Sequence, residues 1–205
     1  MHTLYTIGHS NHTLEHFLRL LRQHDISAIA DVRSSPYSRY APQFNREALH
    51  TALKQAGIAY AFLGRELGAR CEDRSCYKDG QVRFDLVART ELFAAGLERV
   101  RAGARSYRIA IMCSEKDPIG CHRMILICRN LRGPDMAIAH ILEHGELESN
   151  ADAERRLMRE LDIPENDLFA SREDLVEQAY DIQGQRIAYR HDAGDNNQPP
   201  SETAS

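Results

Sequence analysis

Lysine is scarce in this chain: of its 26 basic residues only Lys54, Lys78 and Lys116 are lysine, and the rest are arginine. That bias suits bidentate recognition of oxyanions and equally reflects genomic composition. A positive balance is missing as well, because 30 acidic residues bring the formal net charge to -4. A general polyanion binder draws its affinity from an excess of cations over phosphates, so the charge argues against that class, and a nucleic-acid partner, not favoured, would need a local basic site. No apolar run approaches the roughly 20 residues needed to span a bilayer, and no basic segment followed by an apolar one opens the chain. The expectation is a soluble, cytoplasmic protein with no membrane partner. Spaced glycines are absent after the first apolar run, where "GHSNHT" stands, so a tightly held dinucleotide is not expected. Cysteine is sparse and odd in number, with five residues, which fits thiols that are free, metal-bound or catalytic.

The remaining pattern alternates. "TLYTIGHS", "ISAIADVR", "IAYAFLG", "SYRIAIMCS" and "MAIAHIL" read as buried strands. Between them, "LEHFLRLLRQHD" behind Thr13 as N-cap, "REALHTALKQAG" closed by Gly57, "RTELFAAGLERVRAGA" and "CHRMILICRNL" carry helical spacing, and "NADAERRLMRELD" follows the last strand. The polar stretch "RELGARCEDRSCYKDGQVRFD" reads as irregular. Alternating strands and helices with continuous apolar strands predict one α/β domain, an open, doubly wound, mostly parallel and Rossmann-like sheet with helices on both faces. The expected boundaries are 1–162 for this domain, 163–190 for a helix and extension packed on it, and 191–205 for a disordered tail.

In such a sheet, ligands bind beyond the carboxyl ends of the strands. Three polar segments fall there: "GHSN", "DVRSSPYSR" and "CSEKDPIGCHR". In the third, Cys113 ends a strand and Cys121 lies at or near the first turn of a helix, where free N–H groups favour a thiolate. His122 adds a proton acceptor and Arg123 a cation, so these residues are candidates for a thiol site. Glu115 and Asp117 in the same loop repel oxyanions, which disfavours phosphatase chemistry at Cys113. His9 is a candidate general base, a metal ligand together with Cys113, Cys121 and His122, or a bridge between loops. Ser10 binds a substrate oxygen or caps a backbone group. Asp31 and Arg33 point to one side and form either an ion pair or, with Arg39 and Ser38, part of an anion clamp. His140 is either a core histidine or a strand-end contact. Cys71 and Cys76 in "CEDRSC" are spaced too widely for an ordinary metal knuckle, and Cys128 lies on an apolar helix face.

Three of these blocks, "YTIGHSN", "DVRSSPYSR" with the following "FN", and "CSEKDPIGCHR" with a downstream "HI", resemble the signature blocks of the domain of unknown function 488 family. The resemblance spans roughly residues 3 to 142 and implies an α/β domain with no attached activity. The leading expectation is therefore an enzyme in which Cys113, Cys121, His122 and His9 act on a small anionic or nucleotide-like substrate. Ser10, Asp31, Arg33, Ser38, Arg39, Glu115, Arg123 and His140 would hold that substrate. The sequence specifies no cofactor and assigns no residue as a metal ligand. A nucleic-acid-associated or regulatory binding module using Arg33, Arg39, Arg46, Arg65 and Arg70 is the alternative, and a metal-binding domain is the third.

Overall fold

The computed structural model describes residues 2–190. The predicted tail, 191–205, lies outside them. The apolar runs become β1 (His2–Gly8), β2 (Ala28–Asp31), β3 (Ala59–Phe62), β6 (Ile109–Cys113) and β7 (Met136–Ile141) of one sheet. The order is β3-β2-β6-β1-β7-β8, parallel throughout except for β8 (Leu147–Ser149), which pairs antiparallel with β7. Helix α1 (Leu14–Gln23) starts at Thr13, whose side chain accepts from the His16 N–H at 3.2 Å. Helix α2 (Arg46–Gln55) is followed by Gly57 at φ +74, a left-handed position that glycine takes without strain.

Alternate residues along each strand serve opposite faces. Tyr5, Ile7, Ile29, Ala110 and Met112 pack against Phe17, Leu20 and Leu21 of α1 and Leu49 and Leu53 of α2. On the other face, Leu4, Ala30, Val32, Ile111 and Cys113 meet α5 (Glu91–Ser106), α7 (Asn150–Glu160) and α8 (Arg172–Ile187). Each fully buried aliphatic side chain here contributes about 1.5–3 kcal/mol, which is what holds the helices to the sheet. Helix α8, in the expected 163–190 extension, inserts Leu175, Val176, Ala179 and Tyr180 into this layer.

Two segments differ from the sequence reading. The stretch expected to be irregular folds into α3 (Gly64–Leu67), a turn over Arg74–Cys76 capped by Asp73, the hairpin β4 (Tyr77–Lys78) and β5 (Gln81–Val82), and α4 (Phe84–Val87). The hairpin turn is Asp79-Gly80 with φ 52 and 74, and Asp-Gly is the favoured pair where both central residues need positive φ. The segment after Cys121 is not a plain α-helix. It opens with a wide π-helical turn over Arg123–Cys128, all six residues buried, before α6 (Arg129–Leu131).

Candidate functional site

β1 and β6 are neighbours, yet α1 after β1 covers one face and the helical segment after β6 covers the other. Adjacent strands whose connections leave in opposite directions open a crevice at their carboxyl ends. Backbone pairing carries on past the strands: the His9 N–H donates to the Cys113 carbonyl and the Ser10 N–H to the Ser114 carbonyl, both at 2.9 Å. Gly8 makes this approach possible, since a Cβ there would meet the Glu115 carbonyl oxygen at 1.9 Å. The glycine thus admits a neighbouring loop.

On the α1 side, polar groups form a continuous hydrogen-bonded chain. Arg33 Nε and Nη2 donate to the two oxygens of Asp31 at 2.9 and 2.6 Å, a fork that matches a carboxylate. The Tyr60 hydroxyl donates to Asp31 Oδ2 at 2.8 Å, and Arg33 Nη1 donates to His9 Nε2 at 3.3 Å. His9 Nδ1 donates to the Ser10 carbonyl at 2.9 Å, and the imidazole stacks on Phe44 with centroids 4.3 Å apart. Burial and the Arg33 guanidinium lower the His9 pKa to about 4, so the ring is a neutral acceptor. Burial likewise pushes the Tyr60 hydroxyl up, reinforced by Asp31.

On the other side lies a cluster of four donor atoms. Cys113 Sγ and Cys121 Sγ sit 2.8 and 2.9 Å from one oxygen, Oε2 of Glu115. They sit 3.6 and 3.9 Å from His122 Nδ1. All four atoms fall within 4.8 Å of one another, a set of types that could hold a metal ion. His122 Nε2 donates to the Val32 carbonyl at 3.2 Å, so in the neutral ring Nδ1 is the bare nitrogen facing the sulfurs. Glu115 is exposed as a residue, but its Oε2 is turned inward between two buried thiols. Cys121 itself stands in extended backbone directly ahead of the helical segment, near its first turn.

The two thiols are driven apart. Burial pushes Cys113 well up, and its bond to Cys121 pushes it further. Burial also opposes ionisation of Cys121, but Cys113, Arg123 and His122 outweigh it and hold this thiol well below its ordinary range. Burial and the Cys121 charge raise Glu115. For His122 burial works against the charged form, and Cys121 and Glu115 overcome it to raise the imidazole. Cys128 is pushed up by burial and stays an inert core thiol.

Arg123 lies beneath the cluster with no solvent exposure. It donates to the Glu115 carbonyl at 2.6 Å, the Lys116 carbonyl at 2.9 Å and the Thr6 hydroxyl at 3.4 Å. Thr6 in turn donates to His140 Nδ1 at 2.8 Å, and His140 Nε2 donates to Asn150 Oδ1 at 3.2 Å. Burial and Arg123 lower the His140 pKa to about 3. His140 is therefore a neutral link in the core, inside the sheet.

The cluster opens into a cleft of about 270 Å³, bordered by Arg33, Ser34, Arg70, Cys113, Glu115, His122 and Tyr189. A smaller cavity of about 140 Å³ beside Arg129 and Tyr180 contains none of the thiols. Of the residues singled out in the sequence, Cys113, Glu115, Cys121, His122 and Arg123 come together. His9, Asp31 and Arg33 form the neighbouring chain, and His9 is outside the donor set. Ser10, at φ 46, bonds Asn11. Ser38 and Arg39 turn to their own loop: the Ser38 Oγ accepts from the Tyr40 N–H, and Arg39 donates to the Tyr40 hydroxyl. The sequence reading missed Tyr60 and the Val32 carbonyl, and it placed Arg70 only on a basic edge. Nothing local marks these partners, since the β2–β3 pairing and the loop after α3 deliver them.

Among curated proteins and among solved structures, none matches the chain. The family model described as Domain of unknown function DUF488 matches residues 13–129, more than half of the 205 residues. That span holds the Asp31–Arg33 pair and the whole of the Cys113–Arg123 loop, and the chain belongs to this family.

Proposed function

We propose that this chain is an enzyme of group transfer or hydrolysis, acting on a small anionic substrate of the phosphate-bearing or nucleotide-like kind. One observation carries the reading: a cluster of two thiols, a carboxylate and an imidazole opens into the same cleft as two guanidinium groups, Arg33 and Arg70. Reactive donors beside anion-recognising forks are what such chemistry needs. Arg33 gives its donors to Asp31 and His9, so it supplies a fixed positive wall to the cleft. Arg70 is exposed, lies over the Tyr189 ring at 4.4 Å, and is the cation able to swing onto an anion. Its backbone N–H is tied to the Ser34 hydroxyl at 2.9 Å, which keeps the side chain at the cleft mouth. A volume near 270 Å³ suits one phosphate with a small attached group and is too small for a dinucleotide.

The test has two parts. Inorganic phosphate and nucleoside monophosphates are titrated against the wild type and Arg70→Ala by calorimetry, and a panel of phosphate, acyl and glycosyl esters is screened for turnover. Saturable binding weakened about tenfold or more in Arg70→Ala, one lost charge-assisted contact, with turnover abolished in Cys121→Ser, supports the reading. Absence of anion binding and of turnover with every member of the panel overturns it.

A further inference from the structure

We propose that Cys113, Cys121, His122 and Glu115 form a binding site for one divalent metal ion of the zinc type, with Glu115 as the ligand that gives way to substrate or water. The site itself stands on the donors. Its role as the reactive centre rests on the enzyme reading above.

Geometry comes first. Metal–ligand bonds of about 2.0–2.3 Å at tetrahedral angles place ligand atoms about 3.3–3.8 Å apart. Both cysteine-to-histidine distances, 3.6 and 3.9 Å, lie close to that range. The two sulfur-to-Oε2 distances, 2.8 and 2.9 Å, are shorter, so the carboxylate would step outward by less than about 1 Å to complete the tetrahedron. Donor type agrees, because two thiolates, an imidazole and a carboxylate are a set that thiophilic divalent ions accept.

Two further observations point the same way. A metal-ligating histidine usually donates its second nitrogen to a carbonyl or carboxylate, which fixes the tautomer and aims the bare nitrogen at the ion. His122 does this with the Val32 carbonyl at 3.2 Å. Arg123 is the second. It is fully buried, its guanidinium donates to two carbonyls and a hydroxyl, and among the described residues no carboxylate forms an ion pair with it. A buried cation is costly unless negative charge lies close, and the groups that face this one are Cys121, Cys113 and Glu115. Two thiolates and a carboxylate around one divalent ion carry a net single negative charge, and that charge would sit against the Arg123 guanidinium. Its backbone N–H also approaches Cys121 Sγ at 3.4 Å, the kind of bond that steadies a ligating sulfur.

The ligands differ in how firmly they are held. Cys113, Cys121 and His122 are all buried, anchored by β6, by the turn over Pro118–Gly120 and by the Val32 carbonyl. Glu115 alone of the four rides on an exposed loop, and it borders the cleft together with Cys113 and His122. A site with three firm ligands and one replaceable oxygen has the layout of a catalytic centre, in which the fourth position passes to water or substrate.

The experiment uses the full chain, purified under reducing conditions without chelator or histidine tag. Metal content is measured after zinc reconstitution and dialysis, and cobalt(II) is then substituted for its visible spectrum. The expected result is about one ion per chain, the intense ligand-field bands of tetrahedral cobalt, and a sulfur-to-cobalt charge-transfer band. Cys121→Ser and His122→Ala, checked for folding by circular dichroism, lose the ion, while Cys71→Ser keeps it. Glu115→Gln retains the ion and shifts the cobalt bands. Should the cysteine variants unfold, the wild type still decides: Cys113 and Cys121 resist alkylation until a chelator is added, whereas Cys71 is labelled throughout. A wild type that holds no ion after reconstitution, an ion retained in Cys121→Ser, or a Cys113–Cys121 disulfide in place of the ion overturns the proposal. These readouts involve no substrate, so a chain that binds the ion and turns nothing over counts against the enzyme reading alone, and one that turns substrate over without the ion counts against this one alone.

Discussion

Two polar groupings share the carboxyl edge of one sheet and are built on opposite plans. In the chain His9–Arg33–Asp31–Tyr60 each polar side-chain group faces a protein partner, and donor meets acceptor along its length. In the cluster Cys113–Glu115–Cys121–His122 two thiols crowd onto a single carboxylate oxygen, and the nearest cation, Arg123, gives its side-chain donors to carbonyls and a hydroxyl. The first plan yields a saturated frame, and the second leaves room for something supplied from outside. A buried polar residue at a strand end therefore says little about function until its partners are counted.

That contrast can be broken from the saturated side. Arg33→Ala strands the Asp31 carboxylate, which has no solvent exposure, and should cost about 3–5 kcal/mol of stability in urea unfolding. A loss below about 1 kcal/mol, the range of a surface pair, would mean that the frame is not holding β2 in place.

Acid probes the support beneath the cluster. The folded value for His140, about 3, lies below the ordinary 6.5, so the unfolded chain takes up its proton first. Stability is complete above pH 6.5 and falls as pH drops toward 3, by roughly 1.4 kcal/mol per unit at most. Denaturation midpoints measured across that window should slope less in His140→Gln than in the wild type, and equal slopes would exclude this histidine as the cause.

Smaller effects sharpen the comparison. Gly8→Ala forces the Glu115 backbone away from β1, at a cost of about 1–3 kcal/mol for overpacking. It should also abolish anion binding in the cleft, whereas an equally destabilising change in α2 should leave that binding intact. Tyr60→Phe removes one of several bonds to Asp31 and should cost only about 1 kcal/mol, read as a small shift in Tm with no change at the thiols.

The sheet was legible because its strands are continuous apolar runs that need no partner to be seen. β8 was not: Leu147–Ser149 is short, its residues are at most half-buried, and it exists only because β7 offers an edge. The β4–β5 hairpin was legible in principle through Asp79-Gly80, but its strands are two residues each and show no alternation. Strand order could not be read, since β6 enters between β1 and β2 from more than 75 residues beyond β2. The donor cluster was half visible. Cys113, Glu115, Cys121 and His122 lie within ten residues, so proximity was apparent, but the reading of Glu115 as an oxyanion repellent missed that its oxygen points inward at the sulfurs. Tyr60 and the Val32 carbonyl come from other strands and leave no trace in local spacing.

The antiparallel β8 has a consequence for the molecule among its neighbours. A sheet edge presents unpaired backbone groups on which another chain can grow, and native proteins keep such edges short or charged. Here that edge is three residues long, and its central residue, Glu148, is locked to Arg156 of α7 at 2.8 Å. A reversed final strand thus ends this side of the sheet in a template that is brief and charged, which makes the β8 edge a poor place for another strand to add.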